Sequence, residues 1–120
     1  MATLTTKLTL TSSDTLSDST SVSISDTLTV TNPVELSRKA IATGSASDII
    51  ASNSAFSYVY LKVASGTNAT DWVQVLLGGH AKMKMRIGEF AFLPLYNAQA
   101  ITAEPQGGNC VLEYGYWSIS

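Results

Sequence analysis

Strict alternation of apolar and hydroxyl side chains constrains the fold of this chain more than any other sequence feature. In residues 1–31 all the leucine, isoleucine and valine side chains fall on even-numbered positions, and Thr or Ser fills most positions between them. Because successive side chains of a strand point to opposite sides, this spacing gives one apolar face and one hydroxyl face. Thr also favours strands. We therefore predict strands near residues 3–10 and 21–31.

The apolar face of this N-terminal segment is a candidate interface with other subunits. Its members are Leu4, Leu8, Leu10, Val22, Ile24, Leu28 and Val30. The link at residues 11–20 can bury little and is predicted to be a loop. The low complexity of the segment leaves disorder as an alternative, although the regular alternation favours order in a bound state.

Asn32-Pro33 marks the predicted internal boundary, because proline removes a ladder donor and restricts the residue before it. We therefore divide the chain into an extended Ser/Thr-rich arm at 1–31 and a β-sandwich domain at 32–120. At 120 residues the chain has room for one core.

The rest of the chain also favours strands. Residues 56–64 are apolar on both faces, as expected of a central strand, and residues 98–104 and 110–119 are predicted to pair as a final hairpin. Gly44 to Ile50 is predicted to be a turn that includes up to one helical turn capped by Ser47. About eight short strands without an amphipathic helix predict an all-β fold, an antiparallel β-sandwich or jelly roll.

A hairpin is predicted around Gly78-Gly79, since glycine accepts the positive φ of a two-residue turn. Pairing Leu77 with His80 then sets a regular register. That register places Val75, Val73 and Asp71 opposite Lys82, Lys84 and Arg86, and puts Trp72, Leu76, Met83, Met85 and Ile87 together on the other face.

Catalytic and metal-binding chemistry is not predicted. His80 is the single histidine and lies beside a turn, and Cys110 is the single cysteine, so neither has the partner that nucleophilic catalysis needs. Calcium is a weak alternative, since the acids do not follow the spacing of an oxygen-ligand loop. These acids are Asp14, Asp18 and Asp26. We expect no enzyme activity, cofactor or metal.

Charge is scarce, at 13% of residues with a net charge of −2. A nucleic-acid surface generally carries a clustered basic excess, and no apolar run approaches the roughly 20 residues that cross a bilayer, so neither nucleic acid nor membrane is an expected partner. The start of the sequence lacks a secretion signal, which favours synthesis and retention in a cytoplasm. A chain this neutral is expected to cover its surface with small polar residues or with partner subunits.

Two further groups are candidate interface residues. The basic cluster Lys82, Lys84 and Arg86 either meets an acidic partner or protects an exposed strand edge, and we favour edge protection. Aromatic residues either line a sugar site or act as core and interface anchors, and we favour anchors. These aromatic residues are Tyr58, Tyr60, Trp72, Tyr114, Tyr116 and Trp117, of which the last three are candidate interface residues.

The pattern of several runs resembles small virion proteins of tailed bacteriophages, most closely capsid decoration (cement) proteins. These runs are Thr27 to Val30, Ala42 to Ser45, Tyr58 to Lys62, Trp72 to Val75, Ile87 to Pro94 and Leu112 to Gly115. The resemblance implies a β-sandwich that decorates and stabilises an assembled capsid by binding the major capsid protein lattice. It also implies a place on the capsid exterior after assembly in the host bacterial cytoplasm, and it is compatible with a tail, connector or fibre component that binds a receptor or carbohydrate.

We expect a homo-oligomer, with a trimer favoured over a dimer. A small domain has limited interior, and closed cyclic symmetry would cover the apolar faces that one chain cannot bury. A trimer would also suit the local threefold positions of a particle.

Overall fold

The computed structural model describes residues 2–12, 20–30, 36–50, 58–95 and 100–117. The described residues form ten strands and no helix, which confirms the predicted all-β class. The strands are β1 Ala2–Ser12, β2 Thr20–Val30, β3 Ser37–Ile41, β4 Ser47–Ile50, β5 Tyr58–Gly66, β6 Trp72–Leu77, β7 His80–Arg86, β8 Phe90–Pro94, β9 Ile101–Gln106 and β10 Cys110–Trp117. The predicted boundary at Asn32-Pro33 lies outside the described residues.

The ten strands form three antiparallel sheets. Among the described residues, strands β1 and β2 pair only with each other, over eleven uninterrupted pairs from Ala2↔Val30 to Ser12↔Thr20, and we call this hairpin the arm. The front sheet has the order β3-β10-β5-β8, and the back sheet has the order β4-β9-β6-β7. The two strands predicted from alternation in residues 1–31 are confirmed as the two strands of the arm.

The front and back sheets share one buried apolar cluster, which gives a sandwich-like arrangement. Strand β5 contributes Val59, Leu61 and Val63, and β6 contributes Val73 and Val75, all with no exposed surface. Their spacing of two residues places them on the inner faces of the two sheets. Strand β5 lies between β10 and β8, so its predicted central position is confirmed.

The β6–β7 hairpin turns where predicted, but its predicted register is wrong. Gly78 and Gly79 have φ of 62° and 85°, and Leu77 pairs with His80. Beyond Leu76↔Ala81 the register shifts, so that Val75 pairs with Met83 and leaves Lys82 as the extra residue of a β-bulge.

The bulge changes which side chains share a face. Val73 now pairs with Met85, and Trp72 pairs with Arg86, so Trp72 and Met85 lie on opposite faces. Without the extra residue, Met85 would leave the side of the sheet that carries Val73. The bulge is favoured because it buries Met85 with the valines of β6 and leaves the basic side chains of β7 exposed.

Two other local predictions are wrong because long-range pairing decided them. Residues 47–50 form the edge strand β4 instead of a helical turn, since pairing with β9 buries Ile49 and Ile50. Strands β9 and β10 do not form a hairpin, because β9 lies in the back sheet and β10 in the front sheet. The described residues form ten strands, compared with about eight predicted, and β4 is a strand that the sequence did not indicate.

Candidate functional site

An apolar groove lies between the arm and the outer face of the front sheet. It consists of two adjoining cavities of about 350 and 300 Å³, which share Thr6, Lys7, Phe90 and Phe92. The other lining residues are Leu4, Thr5, Leu8 and Ile24 from the arm, Leu36 before β3, and Tyr60, Ala91 and Trp117 from the front sheet. The lining is mostly apolar, so the groove fits apolar side chains.

Aromatic side chains form the floor of the groove, because β5, β8 and β10 are neighbours in the front sheet. The rings of Tyr58 and Phe92 stack with centroids 5.6 Å apart and planes at 11°. Phe92 also meets Trp117 at 6.3 Å with a tilted geometry, which is a favourable spacing for aromatic pairs. This floor is fixed by ring contacts within the chain.

Gly115 lets Leu36 and Trp117 lie close to the front sheet. A Cβ on Gly115 would lie 2.9 Å from Leu36 Cδ2 and 3.3 Å from Trp117 Cη2. Any larger side chain would therefore push these two groups off the sheet. Trp117 keeps only 9% of its surface exposed although it points away from the shared core.

Exposed large hydrophobic side chains concentrate at this groove. Among the described residues there are five, and four of them line its cavities, namely Leu8, Ile24, Leu36 and Phe90. The fifth, Leu10, follows Leu8 on the same face of β1. Exposure varies along the arm: Val30 at its base is 1% exposed, Ile24 is 57% and Leu10 is 51% exposed, and Val22, which pairs with Leu10, is half-buried. Exposed apolar patches of this kind are typical of interaction surfaces in other proteins.

A polar cluster borders the aromatic floor. The Tyr60 hydroxyl donates to Glu113 Oε1 at 2.9 Å, and Arg38 Nε donates to Glu113 Oε2 at 3.0 Å. The hydrogen bond from Tyr60, followed by that from Arg38, holds the pKa of Glu113 below its ordinary value. Burial, followed by the bond to Glu113, raises the pKa of Tyr60. The cluster orients Tyr60 at the wall of the groove.

Cys110 lies elsewhere and is a poor nucleophile. It is 2% exposed, and burial, with a further contribution from the negative charge of Asp71, raises the pKa of its thiol. Its Sγ lies 3.6 Å from the carbonyl oxygen of Gly108. His80 is exposed on β7 beside the turn.

The candidate interface residues of the arm differ in how far they are buried. Leu4, Val22 and Leu28 are half-buried, Leu8, Leu10 and Ile24 are exposed, and Val30 is buried within the chain.

The other candidates lie on the two sheets. Tyr114 and Tyr116 are partly buried and pack against the shared core, and Trp117 packs in the groove. The basic residues Lys82, Lys84 and Arg86 are exposed on β7, which occupies the edge of the back sheet, and the Lys84 ammonium lies 4.4 Å from the Trp72 ring.

Sequence reasoning missed Leu36, Phe90 and Phe92 as site residues. The alternation in Phe90-Ala91-Phe92 indicates a strand, but nothing in it indicates that this strand faces the arm. Asp14 and Asp18 lie outside the described residues, and Asp26 is exposed on β2. Within the described residues, no three His, Cys, Asp or Glu side chains are placed to hold a metal ion.

The part of the chain that the structure describes contains no helix of sufficient length and apolar character to cross a membrane. In comparisons with known proteins, the chain matches no protein-family model, no curated protein and no solved structure.

Proposed function

We propose that this chain is a non-enzymatic structural protein of a virion, which decorates and stabilises an assembled bacteriophage capsid by binding the major capsid protein lattice. The arm is the observation that carries this proposal. It is a two-stranded sheet of 11-residue strands, and each strand pairs only with the other in the described residues. An isolated hairpin is marginally stable in water, so further strands or a packed face would stabilise it.

The arm lacks the usual protection of a strand edge. Lys7 and Asp26 are the only charged residues in β1 and β2, neither strand contains proline, and their pairing has no bulge. Such an edge can add to a strand of another protein through main-chain hydrogen bonds. A decoration protein stabilises a lattice by mass action, because it binds assembled subunits in preference to free ones.

The strand order supports a jelly roll for the eight strands β3 to β10. Counted from β3, the front sheet runs 1-8-3-6 and the back sheet runs 2-7-4-5, so each sheet mixes strands from the two ends of this region. Eight strands in two such sheets are typical of jelly rolls, an architecture of viral capsid and lectin domains. This architecture, together with the resemblance to decoration proteins, favours the capsid exterior as the location and a homotrimer as the assembled form.

Particle binding by edge variants tests the proposal. The change Thr9→Lys combined with Thr27→Lys adds charge to the hydroxyl face of the arm at two exposed positions that are not cross-strand partners, so the two lysines do not oppose each other directly. We expect binding to purified capsids to fall by at least about tenfold, because charge at a strand edge opposes strand addition. The matched control is Ser45→Lys, which adds charge in an exposed loop.

Copy number decides the location. Hundreds of copies per particle on the capsid, counted by mass spectrometry of purified virions, are the expected result. Wild-type protein that does not bind capsids, or edge variants that bind as well as the wild type, would contradict the proposal.

A receptor-binding or carbohydrate-binding component of a tail or fibre is the second candidate. The aromatic floor of the groove favours it, since aromatic faces stack on sugar rings. This function predicts a few copies at the tail and binding to a glycan array that Phe92→Ala abolishes. We rank it second because the polar groups beside the floor, Tyr60 and Glu113, already bond to each other.

A further inference from the structure

We propose that the groove and the apolar face of the arm form an interface with a second copy of this chain, in which the end of one arm covers the groove of its neighbour. This inference rests on the proposed oligomeric function and names the surface that would serve it. The surface consists of Leu8, Leu10, Ile24, Leu36 and Phe90 together with the half-buried lining of the groove, and we call it the arm patch.

The area of the arm patch is suited to a protein partner. Its five exposed side chains have exposures between 38% and 63%. At about 200 Å² for each fully exposed large side chain, they present on the order of 500 Å² of apolar surface. That is toward the upper end for the largest patch on a typical monomer. A standard interface buries roughly 800 Å² on each partner, so these five side chains would supply about half of that area or more.

The two ends of the arm patch complement each other. Leu10 lies two residues before the last described pair of the arm, Ser12↔Thr20, whereas Leu36 and Leu4 line the cavity nearest its base. Within one chain, Leu8 and Ile24 of the arm line the groove but do not fill it. Both side chains therefore remain exposed, as does Leu10 beyond them. In the proposed interface, the arm end of the second copy enters the groove of the first copy. The arm end of the first copy enters the groove of the second in the same way.

The charges of the arm also favour a second copy. Lys7 lines both cavities, and Asp26 lies on the apolar face of β2, two residues from Ile24. Lys7 and Asp26 of one chain do not pair with each other, because their side chains leave the arm on opposite faces. Among the described residues, neither forms an ion pair with another residue. When an arm end enters the neighbouring groove, Asp26 of one copy approaches Lys7 of the other, and a pair shielded from water is stronger than an exposed one.

Sedimentation equilibrium of the full chain, without particles, tests the interface over about 1 to 100 µM. Wild-type protein should be oligomeric, and Ile24→Thr and Phe90→Thr should each weaken association at least about tenfold. Threonine keeps the strand preference at both sites, and circular dichroism verifies the fold. The matched controls are Ser23→Thr, adjacent to Ile24, and Ala40→Ser, exposed on β3 away from both cavities, and each should leave association within about twofold of the wild type.

A charge exchange gives an independent test. Lys7→Glu and Asp26→Lys should each weaken association, and the double variant should recover most of the loss, because it restores an opposite pair across the interface. Additive losses in the double variant would contradict contact between these two residues of different copies.

The outcomes separate this inference from the proposed function. A wild-type monomer throughout the concentration range overturns the interface, and so does an oligomer that Ile24→Thr and Phe90→Thr leave intact. If the wild type is monomeric and Phe90→Thr abolishes capsid binding, the groove belongs to the lattice protein and the inference is wrong. An oligomer that dissociates with these variants and never binds capsids supports the interface and contradicts the proposed function.

Discussion

Replacing Asp71 by alanine should lower the free energy of unfolding by about 2 kcal/mol. Asp71 is 2% exposed and directly precedes β6. Its carboxylate accepts hydrogen bonds from the loop that connects β5 to β6. The amide of Asn68 donates to Asp71 Oδ2 at 2.7 Å, and Asn68 Nδ2 donates to Oδ1 at 3.3 Å. The alanine variant leaves the Asn68 amide without this acceptor.

The magnitude follows from those two bonds. A hydrogen bond to a charged group contributes about 1.5–3 kcal/mol, and the shorter bond falls in that range. The longer bond adds little, because Asn68 is exposed and its side chain can bond to water instead. Urea unfolding followed by tryptophan fluorescence measures the difference. A matched control is Asp48→Ala, since Asp48 is exposed on β4 and its change should stay within about 0.5 kcal/mol.

Gly107 provides a second test of the same contact. It has φ of +98°, and a Cβ there would lie 2.5 Å from Asp71 Oδ1. Gly107→Ala should therefore carry a backbone cost of about 1–2 kcal/mol plus the cost of displacing the carboxylate. In the Asp71→Ala background only the backbone cost remains, so the two changes should couple by at least about 1 kcal/mol. Additive costs, or an Asp71→Ala cost no larger than that of Asp48→Ala, would refute this account of the loop.

Three further predictions concern acid stability, thiol access and the central hairpin turn. The hydrogen bond from Tyr60, followed by that from Arg38, lowers the pKa of Glu113 from its ordinary value of 4.5. The ionised Glu113 therefore stabilises the fold above that value, and this contribution is lost as pH falls through the lowered pKa. Glu113→Gln should then cost less stability at about pH 3 than at about pH 7 in urea unfolding. The Cys110 thiol should react with a soluble disulfide reagent at least about tenfold more slowly in the native chain than in urea, and equal rates would contradict its burial. Gly79→Ala should cost about 1 kcal/mol in thermal unfolding, from its φ of +85° alone, since a Cβ there meets nothing within 4 Å; a neutral effect would contradict the turn geometry.

The sequence alone determined that both segments of the arm are extended and where the central hairpin turns. Alternation identified both strands of the arm, because a period of two residues is a local property that any half-buried strand must satisfy. The turn at Gly78-Gly79 was also predictable, since positive φ at two adjacent residues is a local demand that glycine meets.

Only the tertiary structure decided which strands pair and in which register. Residues 47–50 have weak local strand signals, and they become β4 because β9 supplies hydrogen bonds and the core covers Ile49 and Ile50. The bulge at Lys82 likewise depends on core packing around Met85. A one-residue slip exchanges the two faces of a strand, so the face of Trp72 could not be read from the hairpin sequence.

The groove depends on the same long-range choices. Phe90 and Trp117 are 27 positions apart in sequence, and they line one cavity because β8 and β10 flank β5 while the arm lies over that sheet. Local alternation specifies a face for each residue but does not specify which sheet that face will meet. Sheet partners are selected by the burial of side chains from distant segments, so the surface that we propose as an interface exists only in the folded chain.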